Sequence, residues 1–164
     1  MWHQPLDSSQ TNSLMTIHLA TDHAGFEHKE SVRDWLVEEG LTVVDHGAKL
    51  YDPEDDFPDF ISLAAAAVSK GGGEDRAIIF GGSGQGEAIV ANRYPNVRAA
   101  VFYGGVTDIP KLSREHNDAN ILSVGARFVS IDETKRAIWE WLHTKQLTEE
   151  KYARRNKKIE GLTK

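Results

Sequence analysis

The chain has 164 residues, of which 40% are hydrophobic and 27% charged, as expected for one ordinary globular domain. Its net charge of −6 argues against a mainly nucleic-acid-binding protein, which is usually basic. The absence of cysteine excludes disulfides, thiolate metal sites and cysteine nucleophiles. No apolar run approaches the roughly 20 residues of a membrane span, and the first residues do not resemble a signal peptide. We therefore expect a cytoplasmic protein that has neither nucleic acid nor membrane as a partner.

Strand-like and helix-like segments alternate along the chain. Residues 1–14 are polar and without periodicity, so we predict a mobile N-terminal extension ahead of a single domain over residues 15–164. The predicted strands cover residues 16–21, 41–44, 77–80, 97–102 and 121–124. The predicted helices cover residues 26–39, 60–69, 87–93, 110–115, a segment after residue 130, and residues 148 to about 159.

This alternation predicts an α/β fold. Right-handed crossovers between parallel strands give a doubly wound, five-stranded parallel sheet with helices on both faces. The expected architecture is a Rossmann-like, three-layer α/β/α single domain with a C-terminal helix. Local signals support these boundaries: Gly40 closes the first helix, Ser130 and Glu133 form a capping box, and the acidic segment 51–58 is a loop.

Polar residues follow several of the predicted strands, where such sheets bind their ligands. Asp22 and His23 follow the first strand, and Arg127 follows the fifth. A glycine-rich loop, residues 81–86, follows the third strand and leads into a helix that begins at Glu87. Backbone N–H groups and a helix N-terminus meet in such a loop, which therefore favours a phosphate or a developing oxyanion.

Three common glycine-loop motifs do not fit these residues. The dinucleotide fingerprint requires a glycine where Glu87 stands, and the nucleophile elbow requires one where Gln85 stands. The P-loop fails because no Gly-Lys-Ser/Thr follows. A plain structural turn remains the alternative to an anion site at this point.

Three motifs narrow the choice: Asp22-His23-Ala24-Gly25, Gly82-Ser83-Gly84-Gln85-Gly86-Glu87 followed by Ala91-Asn92, and Ser113-Arg114-Glu115-His116-Asn117-Asp118-Ala119-Asn120. In order and spacing they resemble the sugar-phosphate isomerases of the ribose-5-phosphate isomerase B type, a family that includes galactose-6-phosphate and allose-6-phosphate isomerases. The resemblance runs from about Thr16 to Leu162. It implies a Rossmann-like domain, no cofactor, a sugar-phosphate substrate, and a homodimer or tetramer whose active site is completed across the interface.

The resemblance implies aldose–ketose isomerisation, in which the sugar ring opens and a proton moves between C1 and C2 through a cis-enediolate. Many relatives carry a cysteine base at the position of Gly81, whereas this chain resembles the branch with a glutamate base, at Glu87. His116 matches the ring-opening acid/base, and Ser83 could bond to the reacting oxygen. The alternatives are an ordinary carboxylate at a helix N-terminus for Glu87 and a histidine favoured at a helix C-terminus for His116.

Substrate binding is assigned by the same resemblance. The residues expected to contact the sugar are Asp22, His23, Gly82, Gly84, Gln85, Gly86 and Asn117. The residues expected to bind the phosphate are His23, Arg127, Arg154 and Lys158. Arg154 and Lys158 share one face of the last helix, although the family has arginine at the position of Lys158 and a solvated basic tail is the alternative. We expect no metal, because Asp22 and His23 have no further ligands at suitable spacing.

The leading hypothesis is an isomerase of D-ribose 5-phosphate and D-ribulose 5-phosphate. The same chemistry on a galactose, allose or tetrose phosphate stays open, because the sequence does not reveal the length of the sugar. A non-catalytic sugar-phosphate-binding protein is a further alternative, although binding alone does not require Glu87, Ser83 and His116 together. A nucleotide-binding role comes last because the fingerprint fails.

Overall fold

The computed structural model describes residues 15–162, so the predicted N-terminal extension lies outside the described residues. All pairings within the sheet are parallel, and the strand order is β2-β1-β3-β5-β4. The strands are β1 (Thr16–Thr21), β2 (Thr42–Asp45), β3 (Arg76–Gly81), β4 (Ala99–Phe102) and β5 (Ile121–Gly125). The predicted five-stranded parallel sheet is confirmed.

Six helices connect or follow the strands: α1 (Phe26–Glu38), α2 (Phe57–Lys70), α3 (Gln85–Ala91), α4 (Ile109–Asn117), α5 (Ile131–His143) and α6 (Glu150–Glu160). A short 3-10 turn, His23–Gly25, precedes α1. Across residues 15–162, no helix combines the length and apolar character that a membrane crossing requires.

The sheet is covered on both faces, as expected for three layers. Helices α1 and α5 pack on one face through side chains such as Leu36 and Trp141. Helices α2 and α3 pack on the other, with residues such as Ile61. Along β3, side chains alternate between the two cores, so that Phe80 joins the first and Ile79 the second. This double burial explains the continuous apolar run of the central strand.

Two helices begin two or three residues earlier than predicted. Helix α2 begins at Phe57, so the predicted loop 51–58 is wrong at its end. Pro58 occupies the first turn, where no helical hydrogen bond needs its missing N–H, and it therefore starts the helix rather than preventing it. Helix α3 begins at Gln85, directly after Gly84, which has a φ of +77°.

Two local signals are confirmed. Gly40 follows α1 with a φ of +82°, and its N–H donates to the carbonyl of Val37 at 3.0 Å. Ser130 and Glu133 form the reciprocal capping box at the start of α5. Both ends are fixed by short-range contacts, which explains why the sequence alone revealed them.

The chain reverses its direction of travel across the sheet between β1 and β3. From β1 it moves outward to β2, whereas from β3 it moves toward β5 and β4 on the other side. The carboxyl ends of these two neighbouring strands meet, with Thr21 paired to Phe80. Such switch points are where open α/β sheets bind ligands, and here they bring Asp22 and His23 next to the glycine loop.

Candidate active site

The glycine loop is clamped against the end of β5. The hydroxyl of Ser123 donates to the carbonyl of Gly84 at 2.7 Å, and the N–H of Ala126 donates to the carbonyl of Gly81 at 2.8 Å. A Cβ at Gly125 would lie 2.6 Å from the carbonyl oxygen of Ser83, so a glycine is required there for the close approach. The loop carbonyls therefore face the protein and hold the loop in one shape.

Several loop N–H groups are left for a ligand. Within residues 15–162, no hydrogen bond uses the backbone N–H of Gly82, Ser83 or Gly84. The backbone N–H of Gln85 donates a long hydrogen bond, 3.4 Å, to the hydroxyl of Ser83 within the loop. Adjacent N–H groups fixed in this way are suited to stabilising an oxyanion.

Glu87 lies beneath this loop in the first turn of α3 and is only 5% exposed. Its carboxyl group fills the space next to Gly81, where any Cβ would overlap it. Burial raises the pKa of Glu87, and the negative charge of Asp22 raises it further, while a hydrogen bond from the residue's own N–H acts in the opposite direction. A buried carboxylate with a raised pKa is suited to accepting and returning a proton near neutral pH.

Two cationic side chains lie beside the loop. A Cβ at Gly82 would be 3.1 Å from Nη1 of Arg127, so this guanidinium packs directly on the loop. Arg127 is exposed and has no ion pair with a carboxylate within residues 15–162. The pKa of His23 is raised, mainly by its hydrogen bond to Asp55, whereas the positive charge of Arg127 lowers it. A guanidinium close to a histidine of raised pKa favours an anionic ligand.

Asp55 is the site residue that the sequence reasoning missed. Its Oδ1 accepts hydrogen bonds from both the backbone N–H and the ring Nδ1 of His23, at 3.0 and 2.7 Å. Asp22 adds its carboxylate, 3.9 Å from the same ring nitrogen, and caps the following turn by accepting from the N–H of Ala24. Four acidic residues crowd this loop, and only the tertiary contact singles out one of them.

Asp55 also bears on the expectation of no metal. Potential ligand atoms of Asp22, His23 and Asp55 all lie within 4.8 Å of one another, so the third group thought to be missing is present. The hydrogen bond between His23 and Asp55 already accounts for the contact between two of them. The absence of a metal from the site stays a prediction.

The remaining predicted residues lie elsewhere. His116 and Asn117 end α4, where the ring of His116 stacks on Tyr152 of α6 with a centroid distance of 4.8 Å and an interplanar angle of 3°. The side chain of Asn156 donates to the carbonyl of His116 at 3.1 Å. On α6, Arg154 pairs with Glu150, and Lys158 is exposed.

One chain therefore holds two groups at opposite ends of its sheet. The carboxyl-end cluster comprises Asp22, His23, Asp55, loop 81–86, Glu87 and Arg127. The amino-end cluster comprises His116, Asn117, Arg154 and Lys158. The amino-end cluster lies next to the start of β5, at Ile121, which pairs with Ala77 of β3. From Ala77 to Gly81, at the carboxyl end of β3, the strand spans on the order of 13 Å. A general acid or base acts within about 3 Å of the atom it serves, so this separation argues against the two clusters of one chain acting on the same small molecule.

Comparison with known proteins gives a consistent result. A sequence model described as ribose/galactose isomerase matches residues 17–159. The chain is 34% identical over 141 residues to ribose-5-phosphate isomerase B of Mycobacterium tuberculosis, covering 86% of this chain and 85% of that protein. It is 37% identical over 121 residues to the enzyme of that name from Escherichia coli, covering 74% and 78%.

Solved structures agree with the fold. Ribose-5-phosphate isomerase B from Mycoplasma genitalium, crystallised with bound ribulose-5-phosphate, superposes with a TM-score of 0.85 at 31% identity, over 90% of this chain and 95% of that chain. The Clostridium thermocellum enzyme superposes with a TM-score of 0.83 at 36% identity, over 90% and 97%. With a family match across nearly the whole described chain and the same architecture in its relatives, this chain belongs to the ribose/galactose isomerase family.

Proposed function

We propose that this protein is an aldose–ketose isomerase that interconverts D-ribose 5-phosphate and D-ribulose 5-phosphate. The observation that carries the proposal is the buried carboxyl group of Glu87 beneath a loop with unused N–H donors. Both curated relatives described above bear the name ribose-5-phosphate isomerase B. The Mycoplasma genitalium relative was crystallised with the ketose of this reaction.

The chemical step needs one base and a stabilised oxygen. In the aldose-to-ketose direction, the carboxylate of Glu87 removes the proton from C2, and the electron pair moves onto the carbonyl to form the cis-enediolate. The protonated carboxyl group then returns the proton to C1, while the proton of the C2 hydroxyl passes to the C1 oxygen, so that C2 becomes the carbonyl carbon of the ketose. The N–H groups of Gly82, Ser83 and Gly84, with Gln85 and Gly86 behind them, stabilise the negative oxygen, and the Ser83 hydroxyl can bond to it.

Phosphate binding begins at the carboxyl-end cluster. His23 and Arg127 are the basic residues of that cluster. Within residues 15–162, the carboxylates that contact His23 are those of Asp22 and Asp55, and Arg127 pairs with none. A dianionic phosphate relieves their mutual repulsion and accepts several charge-assisted hydrogen bonds. Asp22 lies on the sugar side of this pair, near enough to Glu87 for its charge to influence that carboxyl group.

The amino-end cluster completes the site when it comes from a second copy of the chain. His116 then opens the sugar ring, Asn117 binds hydroxyls, and Arg154 and Lys158 approach the phosphate. The separation of the two clusters within one chain supports this arrangement. A two-fold homodimer places each cluster of one subunit against the other cluster of its partner, twice.

The activity is tested by measuring ketose formed from ribose 5-phosphate by the wild type and by Glu87→Gln. We expect Glu87→Gln to lower kcat about 10²- to 10⁴-fold, the usual size of a general-base contribution. Glu133→Gln is a matched control because Glu133 is likewise the third residue of its helix, in a capping box that glutamine can replace. Near-normal turnover by Glu87→Gln would refute the assignment of the base. A panel of tetrose, pentose and hexose phosphates ranked by kcat/KM tests the choice of sugar.

The shared site is tested with two inactive variants. When Glu87→Gln and His116→Asn chains are unfolded together and refolded as a 1:1 mixture, each mixed dimer has one intact site and one doubly altered site. We expect recovery of activity toward about a quarter of the wild-type value, from the random pairing of a two-fold dimer. Each variant refolded alone is the control. No recovery in proven mixed dimers would mean that both residues act within one subunit.

A further inference from the structure

The pairing of His23 with Asp55 has a role in the site that neither the motifs nor the comparisons assign. Asp55 belongs to the loop before α2, 32 residues along the chain from His23, and its side chain is only 8% exposed. One oxygen accepts two hydrogen bonds from His23, and the other, Oδ2, is buried without a partner within residues 15–162. Burying a carboxylate in this way costs free energy, so a purely structural turn is a poor explanation.

The contact fixes the state of the imidazole. Because Nδ1 donates its hydrogen to Asp55, the other ring nitrogen, Nε2, is left for an outside partner. Within residues 15–162, Nε2 of His23 has no hydrogen-bond partner, and the side chain is 26% exposed. The hydrogen bond also raises the pKa of His23, which favours a ring that carries hydrogen on both nitrogens.

The surroundings indicate which part of a substrate Nε2 meets. Arg127, packed on the glycine loop, is close enough for its charge to oppose protonation of His23. The hydrogen bond to Asp55 is the largest influence on the pKa of His23 and raises it, with a smaller contribution from the charge of Asp22, while burial and, less strongly, Arg127 lower it. The same hydrogen bond fixes the orientation of the ring. The carboxylate of Asp55 therefore favours a positive charge on His23 close to that of Arg127, an arrangement suited to an anion that contacts both.

We propose that Asp55 is a positioning residue that holds the imidazole of His23 with Nε2 directed at the phosphate group of the substrate. The proposal rests on the proposed function for the identity of the substrate. The structural part, a phosphate contact made by His23 under the control of Asp55, is separable from turnover. Asp55 itself touches neither the phosphate nor the reacting carbons.

The chain offers a closely matched control. Asp56 is the next residue of the same loop, is exposed, and makes no side-chain hydrogen bond at the start of α2. Asp55→Asn and Asp56→Asn remove the same charge from neighbouring positions. Asparagine at residue 55 can still accept both hydrogen bonds from His23, so we expect Asp55→Asn to fold.

Kinetics form the first part of the test. We expect Asp55→Asn to raise KM for ribose 5-phosphate about tenfold, the size of one lost charge-assisted contact, while kcat changes less than about threefold because Glu87 is untouched. Asp56→Asn should leave both constants within about twofold. In a His23→Gln background, Asp55→Asn should have little further effect on KM, because the two residues act as one unit. Equal KM values for the two asparagine variants, or a full additional loss in the His23→Gln background, would overturn the proposal.

Nuclear magnetic resonance of the His23 ring forms the second part, with inorganic phosphate as the probe. We expect phosphate to shift the Nε2 signal of the wild type and of Asp56→Asn at similar concentrations, and to require about tenfold more in Asp55→Asn. The titration midpoint of His23 should fall in Asp55→Asn alone. If the wild type fails to isomerise ribose 5-phosphate but shows this phosphate response, the proposed function fails and the positioning role stands. If it isomerises ribose 5-phosphate and phosphate does not shift His23, the positioning role fails alone.

Discussion

The two clusters are built in different ways. In the carboxyl-end cluster, Glu87 is buried and Asp55 is nearly so, and the glycine loop is clamped to β5 by hydrogen bonds. In the amino-end cluster, His116 is held by one stacked ring and by one hydrogen bond to its backbone carbonyl. Lys158 lies exposed on the surface of α6. The first cluster is thus pre-formed by the fold of one chain, whereas the second is proposed to act against a second copy of the chain. We expect substitutions in the first to act mainly on the chemical step and those in the second to act mainly on ring opening and affinity.

The largest expected effect comes from Gly81→Ala. A Cβ at this position overlaps the carboxyl group of Glu87, so this proposed base must move although its own residue is unchanged. We expect kcat/KM to fall about 10²- to 10⁴-fold, as for loss of the base itself. Steady-state assays with ribose 5-phosphate measure the effect.

Gly72→Ala is the control, because a Cβ at Gly72 meets open space. Combining Gly81→Ala with Glu87→Gln should cost little more than either change alone, since both remove the same group. A Gly81→Ala enzyme that keeps near-normal activity would show that Glu87 need not occupy this space.

The amino-end cluster should respond less strongly to Tyr152→Ala. Removing the ring that stacks on His116 leaves the imidazole without its packed face, although Asn156 still holds the backbone at this point. We expect kcat to fall about tenfold, since misplacing an acid/base group costs less than removing it. The measurement is the rate of ring opening and turnover from ribose 5-phosphate.

Tyr152→Phe keeps the aromatic face and serves as the matched control, for which we expect near-normal kcat. Equal losses in both variants would indicate that the hydroxyl group, and not the stack, matters. Unchanged kcat in Tyr152→Ala would indicate that α6 does not orient His116.

Activity and stability should both depend on pH through Glu87 of the carboxyl-end cluster. Burial raises the pKa of Glu87, so its ionised, basic form is lost as the pH falls through that raised value. On lowering the pH, kcat/KM should therefore begin to fall at a higher pH than the ordinary glutamate pKa of about 4.3 would predict. Above its ordinary pKa, the ionised carboxylate also destabilises the fold, and the penalty grows until the pH passes the raised value. Glu87→Gln should therefore be more stable than the wild type at pH 7.5, by about 0.5–2 kcal/mol.

Thermal or urea unfolding of both proteins at two pH values measures this gain. At pH 4 most of the wild-type carboxyl groups are neutral in both states, so the difference in unfolding free energy should become much smaller. Equal stability at both pH values would contradict the idea that Glu87 is strained by burial.

The sequence predicted the main residues of the carboxyl-end cluster better than the residues that hold them in place. The strand–glycine–helix pattern leads directly to Glu87, and the strand ends lead to His23, because both depend on short stretches of chain. Asp55 was missed because its role depends on a contact 32 residues away, and the loop around it contains similar acids. Asn92 in the family motif also proves structural: its side chain bonds to both the N–H and the carbonyl of Ala99 on the exposed edge of β4.

The amino-end cluster shows the converse limit. Periodicity predicted the helix that ends near His116, and spacing placed Arg154 and Lys158 on one face of α6. Nothing local to these residues indicates that they point away from the carboxyl-end cluster of their own chain, because that depends on the direction of α4 relative to the sheet. Strand order and crossover direction determine this separation, and both emerge only from the assembled fold.

The smallest expected effect is that of Lys158→Arg. Lysine offers a point charge, whereas arginine offers a planar fork that can bind two phosphate oxygens at once, as the family pattern has at this position. We expect KM for ribose 5-phosphate to fall about two- to fivefold with kcat unchanged, because the contact is remote from the transferred proton. Lys157→Arg is the control, since this neighbouring exposed lysine lies about 100° away around α6. Identical KM values for the two variants would place Lys158 outside the phosphate site and leave Arg154 as the cation that α6 contributes.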